Sequence, residues 1–563
     1  MKKAMNGNTS RQRRLTPPQL GCLLVLLGAV LLTGIACRYA SANLLDGDAS
    51  GEMVLGHLLY ENGGILSDTW AYSTELRVVN SQLFYKLFFY LFSDWQTVRF
   101  AATMTMLACM LAAWGYLARQ MRVGITGFAL AGAVLLLPFS VTWGRIVLYQ
   151  SYYTMYVALE FLYAGLCLSL LREKRRGAWL LKAAVLFLLS VAGGLDGVRL
   201  VMNSAAPLLC VFLVYALRPS LPQKNGEKPG VRTLVRALPA PILSAAGLLL
   251  GCLINAGPLS AKYSFTHLTY TTADPPKNYL WSLLTAFLRD FGYETGQNLF
   301  SLHGILAVLS ALLVLGLAVL ALWQLTHAQE LPDHGFAATA LCASLLVIGL
   351  TMALLRNENG GYVIVRYLLP TAAWCIPVLG TAVAHAGHVT DGRAAALRLT
   401  AAGLSLVLLV NGCLGCVFFV SPERYPLTYD DEGIVDTGLT ARLRAPVAWL
   451  LENGYEVGVA SHYQWDANTM IELSDGRLTV TGLVCTQQQL GFYRWLTDTS
   501  LYAAEAADDD RPAFALVRCG EEDEAFTSRA VGQAGTCVYD DGYFRIYHYD
   551  RASGLFSALA PIG

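Results

Sequence analysis

Long apolar runs with few polar interruptions fill the first 420 residues of the chain. A helix needs roughly 20 apolar residues to cross a hydrocarbon core about 30 Å thick. Within lipid such a run must be helical, because a helix satisfies all of its own backbone hydrogen bonds. The pattern predicts eleven membrane spans: Leu20–Cys37, Val98–Leu117, Gly124–Val141, Tyr152–Leu171, Trp179–Leu195, Leu200–Leu217, Leu238–Ala256, Leu302–Leu325, Phe336–Leu355, Tyr367–Ala386 and Leu399–Val420.

The pattern changes after Val420 to short segments in which apolar and polar residues alternate, which is typical of a soluble α/β or α+β domain. The Asp541-Gly542 pair between two such segments indicates a β-hairpin. The predicted strands are Tyr455–Ala460, Arg477–Val484, Ala513–Val517, Thr536–Tyr539 and Tyr543–Tyr549, and the predicted helices are Arg442–Glu452, Ala467–Leu473 and Thr486–Leu496.

Composition agrees with a membrane protein. Of the 563 residues, 55% are hydrophobic and only 14% are charged, against about 25% charged residues in soluble domains. The sequence therefore predicts a mainly α fold: a polytopic helical membrane bundle of about eleven transmembrane helices with a C-terminal external soluble domain. The formal net charge of zero excludes a generally basic nucleic-acid-binding protein.

The zero net charge is a cancellation between two regions. Residues 421–563 contain ten Arg, no Lys and 22 Asp and Glu, a net of −12, which leaves +12 on residues 1–420. Lys and Arg concentrate in the N-terminal tail and in the connections that follow even-numbered spans, as the positive-inside rule requires of cytoplasmic segments. We therefore predict a multi-pass protein of the cell membrane, with a cytoplasmic tail (1–19), a membrane domain (20–420) whose loop 38–97 is external, and an external C-terminal domain (421–563).

An acidic motif, Asp46-Gly47-Asp48-Ala49-Ser50-Gly51-Glu52, follows the first span on the external side. Clustered carboxylates could act as a general base, or Asp46 and Asp48 could hold a divalent cation such as Mg or Mn. The alternative is a turn with a helix N-cap, since Asp and Gly favour turns and acidic residues favour the first helical turn. We take Asp46, Asp48 and Glu52 as the candidate catalytic residues.

Two apolar stretches with polar breaks, Met53–Tyr60 and Leu76–Phe92, come next and predict helices lying in the membrane interface. Their aromatic residues would lie at headgroup depth: Phe84, Tyr85, Phe88, Phe89, Tyr90 and Trp95.

A first span, an external loop that opens on an Asp-x-Asp motif and two interfacial helices together resemble the GT-C glycosyltransferase superfamily. This superfamily includes protein O-mannosyltransferases and lipid A aminoarabinose transferases. The segment Val365-Arg366-Tyr367-Leu368-Leu369-Pro370 is similar to the Arg-Tyr-x-x-Pro segment of these enzymes. The resemblance implies an acidic catalytic base or metal contact in the first external loop and a polyprenyl-phosphate sugar donor.

Cations near the outer interface would neutralise the leaving phosphate of such a donor. Arginines at the predicted outer ends of spans are the first candidates, and their alternative role is to anchor headgroups. His267 and Lys277 are candidates in the Pro258–Phe300 loop, and the alternative is that this loop is solvated and binds no substrate. The candidate substrate-binding residues are Arg366, Tyr367, Arg199, Arg145, His267 and Lys277.

Three further features could serve the structure of the protein without a part in its function. Glu160 lies mid-membrane, on a predicted helix face with Tyr149, Tyr153 and Tyr156 that turns to the bundle interior. Asp196 could pair with Arg199, and Cys519 could form a disulfide with Cys537 or stay reduced.

The leading functional hypothesis is a membrane glycosyltransferase that moves a sugar from a polyprenyl-phosphate lipid to an external glycan, lipid or protein acceptor. One alternative is a transporter or flippase of lipid-linked sugars, which would place several charges deep in the bundle. Another is a non-catalytic scaffold that displays the C-terminal domain, which would not need the acidic motif. Membrane lipids are expected partners in each case.

Overall fold

The structure of the protein is a computed structural model. It describes residues 15–73, 76–217, 231–265, 270–272, 277–293, 298–327, 332–357, 365–385, 392–421, 427–430, 433–436, 438–461, 463–486, 489–502, 509–521, 524–557 and 559. We call these the described residues.

Helices account for nearly all of the described residues up to Val420. They are α1 (Pro17–Asn43), α2 (Gly47–Asn62), α3 (Ser81–Phe89), α4 (Trp95–Gln120), α5 (Ile125–Leu136), α6 (Thr154–Arg172), α7 (Arg176–Gly194), α8 (Ala206–Leu217), α9 (Val231–Ala237), α10 (Pro239–Ile254), α11 (Tyr279–Arg289), α12 (Leu302–Thr326), α13 (Pro332–Leu354), α14 (Leu369–Ala373), α15 (Cys375–His385) and α16 (Gly392–Val420). Short π-helical segments occur at Trp143–Tyr149, Val201–Ala205 and Asn255–Leu259, and a 3₁₀ turn at Val365–Leu368 leads into α14. The short strands of this part are β1 (Trp70–Ala71), β2 (Tyr270–Thr272) and β3 (Leu355–Asn357).

Nine helices within the described residues are long and apolar enough to cross a membrane. The predicted bundle is confirmed, but the predicted count of eleven is not. The third and sixth predicted spans correspond to shorter apolar helices, Ile125–Leu136 and Val201–Val214. The third ends early because Pro138 follows Leu137, and a residue before proline is driven out of the helical conformation.

The loop after α1 forms two helices whose ends differ from the prediction. Helix α2 begins at Gly47, earlier than Met53, because Asp46 caps it. Helix α3 begins at Ser81, later than Leu76, where the side chain of Asn80 accepts a hydrogen bond from the Ser81 N–H.

The aromatic residues of this loop divide into two groups. Tyr85, Phe89 and Trp95 are buried and pack with Met53 in a cluster between α2, α3 and α4. Tyr90 is 60% exposed. The three buried rings therefore use their apolar area for packing within the protein, and the headgroup depth of the six aromatic residues stays a prediction.

The described residues beyond Val420 form a mixed six-stranded sheet in the order β11-β12-β10-β6-β7-β8. Strand β6 pairs in parallel with both β10 and β7, and the other neighbours are antiparallel. The elements are β4 (Leu427–Asp430), β5 (Gly433–Asp436), α17 (Leu439–Glu452), β6 (Val457–Ala460), α18 (Tyr463–Leu473), β7 (Thr479–Thr486), β8 (Gln489–Phe492), β9 (Thr497–Asp498), β10 (Ala513–Arg518), α19 (Glu524–Gly532), β11 (Thr536–Asp540), β12 (Phe544–Tyr549) and α20 (Ala552–Ser557). The predicted α/β or α+β character and the β11–β12 hairpin are confirmed.

The predicted helix Thr486–Leu496 is wrong. Its first half is strand β8, which pairs with β7 so that Phe492 lies opposite Leu483. Leu490 and Phe492, two residues apart, both pack on the sheet core. This period of two is the strand period, and the sequence interpretation overlooked it.

The sequence leaves Cys519 and Cys537 either bonded or reduced, and in the structure both cysteines are free. Strand β12 lies between their strands, and Cys519 is level with Tyr543 whereas Cys537 is level with Tyr547. Two strand spacings amount to about 9.6 Å before the offset along the strands is added. A disulfide needs Cα atoms within about 7 Å of each other.

Candidate functional site

Asp46 begins α2 and is the most densely hydrogen-bonded carboxylate of the acidic motif. Its backbone is extended, and its side chain accepts from the Ala49 N–H at 2.8 Å. This is the N-cap geometry that Asp favours, and Asp48 in the first turn suits the positive end of the helix dipole. The capping interpretation of the motif is therefore confirmed.

Three side chains from the segment between α5 and α6 also bind Asp46. Arg145 Nη2 lies 3.0 Å from Oδ2, and Gln150 donates to the same oxygen. The Tyr152 hydroxyl donates to Oδ1 at 3.0 Å. The π-helical segment and a left-handed turn at Ser151 (φ 62°) direct these side chains to one carboxylate.

The other two carboxylates of the motif lie in different surroundings. Asp48 is half-buried, and it lies near enough to Tyr152 for its charge to act on the phenol. Glu52, one turn further along α2, is buried; it forms a 3.0 Å ion pair with Arg77 and accepts from the Ser81 hydroxyl at 3.3 Å. Of the three, Asp48 is thus the carboxylate most open to a substrate.

A second polar centre surrounds Arg199, which is buried among tyrosines. Its guanidinium carbon lies 4.9 Å from the ring centre of Tyr153, 5.5 Å from that of Tyr156 and 5.0 Å from that of Tyr367. The same arginine donates to the Tyr153 hydroxyl. Three π faces stabilise the cation without neutralising its charge.

Consecutive residues connect the two centres. Tyr152 binds Asp46, whereas Tyr153 binds Arg199. The turn before α6 therefore supplies one side chain to each of the two polar centres.

The predicted substrate-binding residues divide into those that the structure brings to this region and those that it does not. Arg145, Arg199 and Tyr367 take part in the contacts above, and Arg366 precedes Tyr367 in the 3₁₀ turn, half-buried. Lys277 is exposed on its loop. His267 lies outside the described residues.

The predicted helix face from Tyr149 to Glu160 is interrupted by the turn at Ser151. Helix α6 begins at Thr154, and Tyr149 belongs to the preceding π-helical segment, where it packs against Phe419. Glu160 is fully buried, as predicted, and accepts a 2.5 Å hydrogen bond from Trp374 Nε1.

Asp196 organises the loop before α3. Its Oδ1 accepts from the backbone N–H groups of Val78 (2.8 Å) and Val79 (2.7 Å). Asn255 donates to the carbonyls of Leu76 and Leu195 and so holds the same loop against the α7 end.

Three residues of the site were missed by the sequence interpretation: Arg77, Gln150 and Tyr152. Gln150 and Ser151 form a polar break between two apolar runs, and that break was the available signal. Arg77 stands in a loop without any motif around it.

No group of three or more His, Cys, Asp or Glu that could hold a metal ion is found among the described residues. Both oxygens of Asp46 already accept hydrogen bonds, and one of them contacts the Arg145 guanidinium. A divalent cation at Asp46 would have to displace these donors and lie beside a positive charge, so the residues present do not fit the predicted cation site.

Comparison with known proteins gives the fold. No protein-family model and no curated protein matches the chain. The crystal structure of ArnT from Cupriavidus metallidurans bound to undecaprenyl phosphate has a TM-score of 0.53 at 12% identity, over 96% of this chain and 99% of that chain. Its apo structure has a TM-score of 0.52 at 13% identity over the same shares.

A weaker similarity links the chain to the Archaeoglobus fulgidus oligosaccharyltransferase tethered with an acceptor peptide, with a TM-score of 0.42 at 11% identity over 82% of this chain and 63% of that one. The ArnT alignments span nearly the whole of both chains. The predicted polytopic fold with a strand-containing C-terminal region is therefore confirmed, and it is similar to the fold of the two ArnT structures.

Proposed function

We propose that the protein is a membrane glycosyltransferase that moves a sugar from a polyprenyl-phosphate lipid to an acceptor on the external face. The observation that carries this proposal is the junction of the acidic cluster with the Arg199 centre at Tyr152 and Tyr153. The GT-C fold supports it, since the ArnT structure of the same fold contains undecaprenyl phosphate.

In the proposed reaction Asp48 is the general base. Its carboxylate takes the proton of the acceptor hydroxyl while the acceptor oxygen forms a bond to the anomeric carbon of the sugar. The bond between that carbon and the phosphate oxygen breaks, and its electron pair leaves with the lipid phosphate. We assign this role to Asp48 because it is half-buried and can be reached by a substrate, whereas Asp46 and Glu52 are buried.

Asp46 and Arg145 are the supports of this base. The cap and the three side-chain donors on Asp46 hold the first turn of α2 in place, which keeps Asp48 aligned. Such preorganisation avoids reorganisation during the reaction.

Arg199 is the proposed cation for the leaving phosphate. Arg366 is the second candidate, since it directly precedes Tyr367, whose ring packs on Arg199. Aromatic faces favour the charged form of a guanidinium, and a guanidinium binds phosphate oxygens through geometrically matched N–H groups.

We further propose a cytoplasmic N-terminus and an external C-terminal domain. The surplus of Lys and Arg in alternate connections supports this orientation. The acidic motif then faces the outside, where a lipid-linked donor is available and a nucleotide sugar is not. The acceptor is a glycan, a lipid or a protein.

The test compares surface glycans and lipid extracts, by mass spectrometry, between cells that lack the protein and cells complemented with the wild type or with D48N. We expect the wild type to restore a glycosylated product and D48N to lower its rate of formation by about 10² to 10⁴, the contribution of a general base. D68N is the matched control, since Asp68 is an exposed Asp of the same external loop.

Two outcomes contradict the proposal. Unchanged glycan and lipid profiles on loss of the protein would favour a scaffold. Lipid translocation that proceeds with D48N and without any sugar transfer would favour a flippase.

A further inference from the structure

The external domain contacts the first turn of α2 directly, through α18. Asn468 on α18 is buried, and its Nδ2 donates to the Gly47 carbonyl at 3.1 Å and to the Leu496 carbonyl at 2.9 Å. One amide group thus joins the acidic motif to the external domain.

A second connection runs from the same face of α18, four residues later. Glu472 forms two 2.5 Å hydrogen bonds with Arg99, one to Nε and one to Nη2. Arg99 Nη2 also donates to the Ala49 carbonyl at 3.1 Å. The Arg99 and Glu472 side chains are each only 3% exposed.

No space separates the two helices at this contact. A Cβ added at Gly51 would lie 2.9 Å from Asn468 Nδ2 and 3.1 Å from Leu496 Cβ, so even Ala would force the surfaces apart. The external domain therefore packs on the turn that carries Asp48, and not merely near it.

These contacts occupy the two carbonyls that flank Asp48 in the chain. The end of a helix opens more readily than its middle, because its terminal groups lack partners within the helix. A carbonyl has two lone pairs, so Gly47 and Ala49 can accept an outside donor in addition to a helical one. Two outside donors at positions 47 and 49 restrain the Asp48 backbone on both sides.

We propose that Asn468 and Glu472 are positioning residues: through Gly47 directly, and through Arg99 and Ala49, the external domain holds Asp48 in its reactive orientation. This inference rests on the proposed function. It assigns the C-terminal domain a part in catalysis without requiring it to touch a substrate.

The experiment uses the full-length protein in lipid nanodiscs and the N468A variant. Hydrogen exchange at the Ala49 and Ser50 amides, which bond to the side chain and backbone carbonyl of Asp46, reports opening of the first turn. Sugar transfer is measured with polyprenyl-phosphate sugars extracted from the producing cells as the donor. We expect exchange to rise about fivefold, as for the loss of one hydrogen bond.

For the reaction, we expect N468A to lower kcat by about tenfold to a hundredfold with an unchanged KM for the lipid donor. A displaced base slows the chemical step, whereas the phosphate contacts stay intact. A change that merely loosened the fold would lower the active fraction without raising exchange selectively at positions 49 and 50.

N453A is the matched control, because Asn453 lies in the same domain and its side chain donates to the Trp449 carbonyl at 2.8 Å, away from α2. N468D is the second variant should N468A fail to fold, since Asp keeps the shape of Asn and removes both donors. Unchanged exchange, or raised exchange with wild-type kcat, would overturn the positioning role. A wild type that transfers no sugar would instead refute the proposed function, and the exchange measurement would still test the contact.

Discussion

Two buried ion pairs contact the first turn of α2, and they are built differently. Asp46 pairs with Arg145 and also accepts from Gln150, Tyr152 and the Ala49 N–H. Glu472 faces a single arginine, Arg99, through two parallel hydrogen bonds. The Asp46 carboxylate thus accepts from four different residues, whereas both hydrogen bonds to the Glu472 carboxylate come from one.

The difference lies in redundancy. If one donor to Asp46 is removed, three remain to satisfy the carboxylate. If either member of the Arg99–Glu472 pair is removed, the other stays buried with a large part of its charge uncompensated, which is costly in a low-dielectric interior. The pairs also differ in span: Arg145 and Asp46 are 99 residues apart in the chain, whereas Arg99 and Glu472 are 373 apart.

The largest effect is therefore expected from E472A. Removing one partner of a buried pair costs about 3–5 kcal/mol, and here it also releases Arg99 from the contact between α4 and the C-terminal domain. Urea unfolding of the full chain in nanodiscs, followed by tryptophan fluorescence, measures the loss.

The double variant R99M/E472L is the control for E472A. Replacing both charges by apolar side chains of similar volume should restore most of the stability, because no lone charge is left behind. If E472A and wild type unfold at the same urea concentration, the pair does not join the two regions in the way described.

A smaller effect is expected from R145Q. Asp46 keeps the Gln150, Tyr152 and Ala49 donors, so the cost should fall to about 1–3 kcal/mol, the range for one buried hydrogen-bonding partner lost. The same unfolding experiment compares the two variants directly. A loss for R145Q as large as that for E472A would refute the redundancy of the Asp46 network.

Much of the fold could be predicted from the sequence because its signals are local. Long apolar runs require helices in lipid, and the Asp541-Gly542 pair between alternating segments marks a hairpin that the structure contains. The acidic motif could likewise be placed at the start of an external helix. Such patterns depend on neighbours within a few residues.

The rest of the site depends on contacts between distant residues. Nothing near Gln150 or Tyr152 in sequence indicates that they reach Asp46 about a hundred positions earlier, and π-helical turns leave no mark in an apolar run. Asn468 and Glu472 sit on an amphipathic helix that looks like any surface helix until its partner α2 is known. Only the structure, in which α18 packs against α2, shows which face of α18 makes the contact.

The smallest expected effect is a change of stability with pH, and it depends on His57 of α2. The ring centre of His57 lies 4.9 Å from those of Phe89 and Trp95, and its Nδ1 lies 3.7 Å from the Glu61 carboxylate. Burial lowers the pKa of His57, and Glu61 partly opposes this shift. Below the ordinary pKa of about 6.5 the unfolded chain therefore binds more protons than the folded one, so stability is lost as the pH falls through that value.

We expect the Tm of the wild type to fall between pH 7.5 and pH 5.5 by more than that of H57Q, which has no titrating ring at this position. The sharper comparison is E61Q: without the neighbouring carboxylate the pKa of His57 drops further, so the dependence on pH becomes steeper. Because the ring packs against α3 and α4, acidification should also raise hydrogen exchange in α3 before it affects the Asp46 side. An E61Q variant with a flatter pH profile than the wild type would contradict this account of His57.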